Sequence, residues 1–384
     1  MSPLFSRNPQ MRRRMLYLMH VDWGWIKQRP HFLAEELSKT FDLLVIYPFS
    51  YRYRAQGLLV RNASAVRRLP FFSLLPQCLP WVRRANRFLL KQCLRAAVRW
   101  HRPNVVWISS PMFGAMIADV VPEKTALVYD CMDDALEFKV GVWDEEILAA
   151  SERVLIRKAS VVFASSRILA ERLIARGCDA KKLCVIRNGF GGEVLRRDEP
   201  PGSRPKGGPF KIGYAGTISH WIDFEAMLHC LERMPDLEFH LIGPVTAPCA
   251  SHARLFLHTA ISHERLPEAA ASFDCMIVPF KRNALIEAVD PVKIYDYVNF
   301  RKNILSVRYP EIERHAPFVH FYRTEEEMLD LIAALRRDNR LKYSEKERVD
   351  FLSKSSWEQR TVRITEILGL KLLRTADRSV GARK

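Results

Sequence analysis

Leu16-Tyr-Leu-Met-His20-Val-Asp22-Trp23-Gly24-Trp25-Ile-Lys-Gln-Arg29-Pro30-His31 carries one full step of the pattern on which the fold rests. Residues 16–20 read as a buried strand and a short loop follows. Pro30 then stands where it can open a helix over 30–38, because a missing N–H and a fixed φ are harmless in a first helical turn. Gly24 makes an unusual backbone turn available in the loop, and the helix start behind it offers N–H groups to an anion. Working outward, the step recurs. Apolar runs at 43–47, 105–108, 126–129, 161–164 and 183–186 read as strands, with helices expected over 78–100, 145–158 and 167–176. Short strands alternating with helices predict an α/β architecture with a parallel sheet.

At 191–209 the composition turns to Gly, Pro and charge, from Gly191-Gly192 to Lys-Gly-Gly-Pro209, which reads as a linker. The alternation then restarts. Strands are expected at 211–215, 237–242, 275–279 and 303–307, and helices at 224–234, 292–300 and 325–335, with a further short one ending at Ser272. A chain of 384 residues exceeds the ~150 that one core usually serves. The division is therefore an N-terminal domain at 1–190, a linker at 191–209, a second domain at 210–355 and a terminal segment at 356–384. Ser355-Ser-Trp-Glu358 fits a capping box. Val362, Ile364, Ile367, Leu368 and Leu372 give the helix after it an apolar face, expected to pack across the domain junction, and 375–384 read as a frayed tail.

Apolar residues at 48% and charged residues at 27% exclude a disordered or fibrous chain. No apolar run reaches the ~18–20 residues of a membrane span. The basic start, Met11-Arg-Arg-Arg-Met, leads into an apolar run that stops at His20 and Asp22, unlike a signal peptide, so a cytoplasmic chain is expected. The eight cysteines are scattered with no C-x-x-C, which argues against a disulfide scaffold or zinc ribbon and suits a reducing compartment. The net charge of +17 is uneven: from Leu43 to Ala118 there are 12 Lys/Arg and no carboxylate. Such asymmetry points to a polyanionic partner, membrane or nucleic acid.

No G-x-G-x-x-G, P-loop, H-E-x-x-H or G-x-S-x-G is present. Open α/β sheets bind ligands at strand-to-helix junctions, and four junctions carry chemistry. In the first, Trp23 and Trp25 offer flat faces for a sugar or serve as interdomain packing. In the second, Tyr129-Asp-Cys-Met-Asp133-Asp134 places three carboxylates at a strand end, for acid–base work, a divalent metal, or plain capping. In the third, Gly213-Tyr-Ala-Gly216-Thr217 is a small-residue loop that a diphosphate can approach. In the fourth, Asp290-Pro-Val-Lys293-Ile-Tyr-Asp296 opens a helix. Lys293 suits phosphate and Asp296, on the same face, suits ribose hydroxyls; an ordinary Lys–Asp surface pair has the same spacing.

Taken in order, these segments resemble a GT-B glycosyltransferase of the broad family-4-like group, nearest the teichuronic-acid-type branch with a W-x-x-x-R-P-H opening, seen here at Trp25–His31. The match runs over nearly the whole chain. It takes in Asp22 to His31, Ser165-Ser through Val-Ile-Arg-Asn188-Gly189, Phe210 to Thr217, Leu266-Pro-Glu through Asp274-Cys-Met-Ile-Val-Pro-Phe, and Pro291-x-Lys-x-x-Asp-Tyr. The resemblance implies two Rossmann-like domains facing a cleft, with a C-terminal crossover helix. Lys293 would meet the donor phosphate, Asp296 the ribose, Gly216 and Thr217 the diphosphate, and Gly24 the donor from across the cleft. Trp23, Trp25, Arg29 and His31 would line the acceptor site or the cleft. The family's strand-end His-Asp pair reads Met132-Asp133 here, which leaves Asp133 or Asp134 for acceptor activation or sugar orientation. Asp also replaces the usual Glu at 296. The family's earlier donor-site glutamate would fall at Ala288, next to Glu287.

The basic half fits this implication. Arg83, Arg84, Arg87, Lys91 and Arg95 mix with Trp81, Phe88 and Trp100, the composition of an interfacial helix on anionic lipid. A solvated basic face over a normal core stripe would look the same in sequence. The expected function is transfer of a sugar from a nucleoside-diphosphate donor to a lipid-linked or glycan acceptor of bacterial surface polysaccharide, at the inner face of the cell membrane. No cofactor, no metal and no nucleic acid are expected. Two alternatives stay open, a nucleotide-sugar epimerase and a catalytically degenerate subunit that binds lipid or a partner.

Overall fold

The computed structural model describes residues 13–60, 64–75, 78–117, 119–138, 145–195 and 208–381, with the side chains of 371–381 excepted. The N-terminal elements are β1 (Arg14–Leu18), α1 (Arg29–Ser38), β2 (Asp42–Pro48), α2 (Tyr51–Ala55), β3 (Arg67–Phe71), α3 (Pro80–His101), β4 (Val105–Ile108), α4 (Gly114–Ile117), β5 (Ala126–Cys131), α5 (Glu145–Lys158), β6 (Val161–Ala164), α6 (Arg167–Ala175) and β7 (Leu183–Val185). All seven strands run parallel in the order β3-β2-β1-β4-β5-β6-β7.

The second half holds β8 (Phe210–Ala215), α7 (Phe224–Arg233), β9 (Leu237–Ile242), β10 (Leu255–His258), α8 (Leu266–Ala271), β11 (Cys275–Val278), α9 (Ala284–Glu287), α10 (Lys293–Asn299), β12 (Asn303–Val307), β13 (Val319–Tyr322), α11 (Glu325–Arg337), α12 (Glu345–Lys354) and α13 (Trp357–Gly381). Its six parallel strands run β10-β9-β8-β11-β12-β13. Each sheet reverses direction beside its first strand, between β1 and β4 and between β8 and β11. That reversal opens a crevice at the carboxyl ends of the strands. Two Rossmann-like sheets, as the resemblance implied, therefore bring two such crevices to one molecule.

Strands buried on both faces explain why the central runs were readable: β4 and β6 are buried throughout. The edge strands β3 and β10 were not. β3 reads Arg-Arg-Leu-Pro-Phe and is largely exposed, and β10 is buried only at Leu255. Pro70 is tolerated because β3 pairs on one side alone.

The terminal helix crosses from the second domain to the first, as the resemblance implied. Trp357, Ile364, Ile367 and Leu368 belong to the core under the N-terminal sheet, with Trp357 stacked on Phe32 at 5.5 Å between centroids. α13 thus returns the chain to the first domain. Its start is capped by Ser356, whose Oγ accepts from Gln359 N–H at 3.2 Å. The capping box foreseen at Ser355–Glu358 does not form, because Ser355 N–H donates to Leu352 O; a capping box opens α12, between Ser344 and Glu347. Of the foreseen linker, 196–207 lie outside the described residues, as do 382–384 of the foreseen tail and the side chain of Leu372.

The domains meet through polar contacts that reach the cleft lining at Asn188 and Asp290. Asn188 N–H donates to Asp290 Oδ2 at 2.6 Å, and its side-chain amide donates to Asp290 O at 2.6 Å. Arg187 pairs with Glu311 at 2.7 Å, and Ser166 Oγ donates to Ala288 O at 2.6 Å.

Candidate active site

Between the sheets lies a cleft of about 1630 Å³, lined from both domains by the loops that follow β1, β4, β5, β8, β9 and β11. A pocket for one small ligand is typically ~300–1,000 Å³, so there is room for two substrates.

The second-domain wall is built by subtraction. Gly216 ends β8 at φ +150 and Gly243 ends β9 at φ +152, a region that side chains rarely adopt. A Cβ on Gly243 would strike the carbonyl of Gly216, and one on Gly216 would strike the Lys293 side chain. The two glycines therefore leave a niche floored by backbone, with Lys293 at its edge. Burial lowers the Lys293 pKa to about 8, against the opposing pull of Asp296 and Asp133. Its ammonium lies 5.4 Å from the Tyr214 ring centroid and 5.6 Å from that of Phe280. Among the described residues it has no ion pair, so a cation waits in the niche without a fixed anion. Thr217 lines the same space. Asp296, one turn along α10, accepts from His263 Nε2 at 3.1 Å. Although burial works the other way, Asp296 raises the His263 pKa.

On the first-domain wall, the Asp133 carboxylate lines the cleft. Burial raises its pKa to about 7, with Arg29 and Lys293 opposing and Asp134 and Asp130 adding to the rise. A carboxyl near neutrality is matched to proton transfer at physiological pH. The loop is fixed from behind, where Ser165 Oγ donates to Met132 O at 2.6 Å. Asp134 does not share this position. It is buried away from the cleft and clamped by Arg172 at 3.0 Å and Arg176 at 2.7 Å, so its carboxylate is committed to structure. The expectation of a reactive Asp134 is corrected accordingly.

The first loop also requires correction. Gly24 does not line the cleft or adopt a positive φ; its N–H donates to Asp22 Oδ1 at 2.8 Å in a tight local turn. Trp23 is buried among His31, Tyr47 and the Arg68 side chain. His31 is fully buried, and burial lowers its pKa to about 4. Arg29 reaches the cleft floor, but its guanidinium is consumed by Asp130 at 2.6 Å and by Ile186 O at 2.8 Å. Trp25 does line the cleft, its ring tilted against that of Tyr53 at 4.5 Å between centroids. The W-x-x-x-R-P-H signature is thus mainly a packing and ion-pair signature here. On α3, Arg83, Arg84 and Arg87 face the cleft, whereas Lys91 pairs with Asp119 at 2.8 Å and Arg95 donates to Gln92 at 3.4 Å.

Sequence reasoning missed three groups. Gly243 stood in Leu-Ile-Gly-Pro with no motif around it. His263 had no spacing to connect it with Asp296, 33 residues away. His20 was quoted only as a strand end, yet it lines the cleft and sits 2.8 Å from Ser109 Oγ. Ser109 Oγ is also within hydrogen-bond distance of Leu18 O, at 3.0 Å. Burial lowers the His20 pKa to about 4, which keeps the ring neutral. Among the described residues, no three His, Cys, Asp or Glu converge as metal ligands, and no helix is long and apolar enough to cross a membrane.

Residues 29–189 match the glycosyl transferase 4-like domain. The chain is 21% identical over 349 residues to the putative teichuronic acid biosynthesis glycosyltransferase TuaH of Bacillus subtilis (strain 168), covering 83% of this chain and 86% of that one. Among solved structures, sucrose-phosphate synthase from Thermosynechococcus elongatus superposes with a TM-score of 0.71 at 11% identity, over 97% of this chain and 100% of that one. Anabaena HepE in complex with UDP and glucose gives 0.61 at 13% identity, over 93% and 99%. The structural likenesses establish the two-domain fold.

Proposed function

We propose, from the premise that this chain is a GT-B glycosyltransferase with a glycosyl transferase 4-like domain, that it moves a sugar from a nucleoside-diphosphate donor to a lipid-linked or glycan acceptor of bacterial surface polysaccharide. The observation that carries this reading is the pairing across one cleft. The glycine niche and Lys293 stand on one wall, and Asp133, close enough for each to shift the other's pKa, stands on the other.

The niche suits a diphosphate, which can approach bare backbone at Gly216 and Gly243 while Lys293 offsets its charge. Asp296 and His263 then sit where ribose hydroxyls would exchange hydrogen bonds. In the transfer, the bond from the anomeric carbon to the diphosphate oxygen breaks. The electron pair leaves with the nucleoside diphosphate, stabilised by Lys293. The acceptor hydroxyl bonds the anomeric carbon, and its proton passes to the Asp133 carboxylate. HepE was solved with UDP and glucose, so uridine nucleotides are the first donors to try.

The same reading places α3 against an anionic membrane. Trp81 is 65% and Phe88 62% exposed, and by helical spacing they lie together on the side opposite the buried Leu90 and Leu94. The segment from Leu43 to Ala118 has no carboxylate to repel such a surface.

The test supplies labelled nucleoside-diphosphate sugars together with polyprenyl-linked acceptors extracted from bacterial membranes. Label should pass to the organic phase with the wild-type chain and not with Lys293→Ala. Label that never leaves the donor, or leaves it only as free sugar, would oppose the reading.

A further inference from the structure

Of the cations that line the cleft, Arg83 donates to Cys78 O at 2.8 Å, and the other lysines and arginines fall into two groups. Lys27 pairs with Glu35 at 2.8 Å and Arg29 with Asp130, so both are neutralised by the protein itself. Lys293 is free, and the donor diphosphate accounts for it. Arg52, Arg84 and Arg87 are also free among the described residues, and nothing in the donor site accounts for them. They stand on α2 and α3, in the other domain, and all three line the same cleft.

The acids of the lining do not answer them. Asp22 is taken by Arg54, Asp290 by Arg314 and Asp296 by His263. Asp133 is held near neutrality by burial. Glu145, at the start of α5, is the remaining carboxylate of the lining. The first-domain wall therefore carries three unpaired arginines, among the described residues, against one carboxylate, Glu145. Guanidinium groups bind phosphate oxygens through paired, charge-assisted hydrogen bonds. The volume of the cleft leaves space for a second ligand beside the donor.

We propose that Arg52, Arg84 and Arg87 form a second anion site, which binds a phosphate or diphosphate ester on the acceptor. The word acceptor rests on the transferase reading; the anion site does not. α3 presents arginines to the cleft and Trp81 and Phe88 to the outside, which suits an amphiphile with its phosphate head inside and its apolar tail leading out past the helix. A soluble phosphate ester would use the same arginines without the tail.

The experiment titrates the full chain with inorganic pyrophosphate and with farnesyl diphosphate, in Lys293→Ala and in Arg84→Gln/Arg87→Gln. Arg84 is exposed and Arg87 half-buried, and glutamine keeps helix propensity, so equal melting temperatures should show that both variants fold. Both probes should still bind Lys293→Ala, and their affinity for the second site should fall at least about tenfold in the double glutamine variant. Nucleoside diphosphate should show the opposite pattern, lost in Lys293→Ala and kept in the glutamine variant. Tighter binding of farnesyl diphosphate than of pyrophosphate assigns a lipid-linked head; equal binding assigns a soluble phosphate ester. Failure of both probes to bind Lys293→Ala, or undiminished affinity in the glutamine variant when measured with Lys293→Ala also present, would overturn the proposal. Failure of the wild type to bind any nucleoside diphosphate would instead strike the donor reading and leave the second site standing.

Discussion

On the side of β8 and β9 the cleft has a floor of bare backbone where Gly216 meets Gly243, with Lys293, unpaired among the described residues, at the rim. On the side of β1 and β5 it is side chain throughout, with Asp133, His20, Trp25 and the α3 arginines. Both walls rest on sheets of the same strand order around their first strand. The difference shows where specialisation lies: the sheets place the loops, and the loops decide whether a ligand meets N–H groups or side chains. A backbone wall suits one rigid, recurring group such as a diphosphate. A side-chain wall can be adapted to a particular acceptor.

The comparison can be broken most forcefully through Arg29. It looks like part of the side-chain wall, but its partner Asp130 is as buried as it is. Removing one member of a buried pair costs about 3–5 kcal/mol, so Arg29→Ala should unfold at markedly lower denaturant. Loss of transfer with unchanged stability would instead make Arg29 a substrate group.

Asp133→Asn should lower kcat/KM by about 10²–10⁴-fold without a comparable loss of stability. The sign of its pH dependence follows from the raised pKa: the carboxylate form exists above about 7. Wild-type kcat/KM should therefore rise with pH through that value, and the limb should vanish in Asp133→Asn. A pH profile that the substitution leaves unaltered removes Asp133 from the chemistry.

The backbone wall gives a smaller effect. Gly216→Ala forces a side chain into the positive-φ region and against Lys293, a strain of about 1–3 kcal/mol, and should weaken nucleotide binding in calorimetry. Smallest of all is the pH effect on Lys293. Its ammonium loses its proton through about 8, so nucleoside diphosphate affinity should decline as pH rises past that value, and Lys293→Ala should show no such decline.

The sequence revealed the alternation of strands and helices wherever strands were buried on both faces, because such runs are continuous and apolar. It concealed β3 and β10, edge strands whose exposed faces carry Arg, Pro and His. Lys293, Asp296, Gly216 and Thr217 were legible because a helix start and a strand end each place neighbours in sequence on one surface. The first loop misled because Trp23, Arg29 and His31 have the residue types of a binding site and are used to pack and pair. Asp133 and Asp134 are adjacent in sequence and face opposite directions, and only the arginines of α6 and its C-cap decide which is free. His263 joined Asp296 through tertiary structure alone.

The most direct measurement of the central claim is a thermal-shift panel of nucleoside diphosphates and nucleotide sugars on the wild type, Lys293→Ala and Asp296→Ala. A ligand at about 100 times its Kd adds about 2.7 kcal/mol of stability. The account predicts a clear rise in Tm for one nucleotide sugar with the wild type, abolished in Lys293→Ala and reduced in Asp296→Ala. A rise of the same size in all three proteins would contradict it, because the donor would then lie away from the glycine niche.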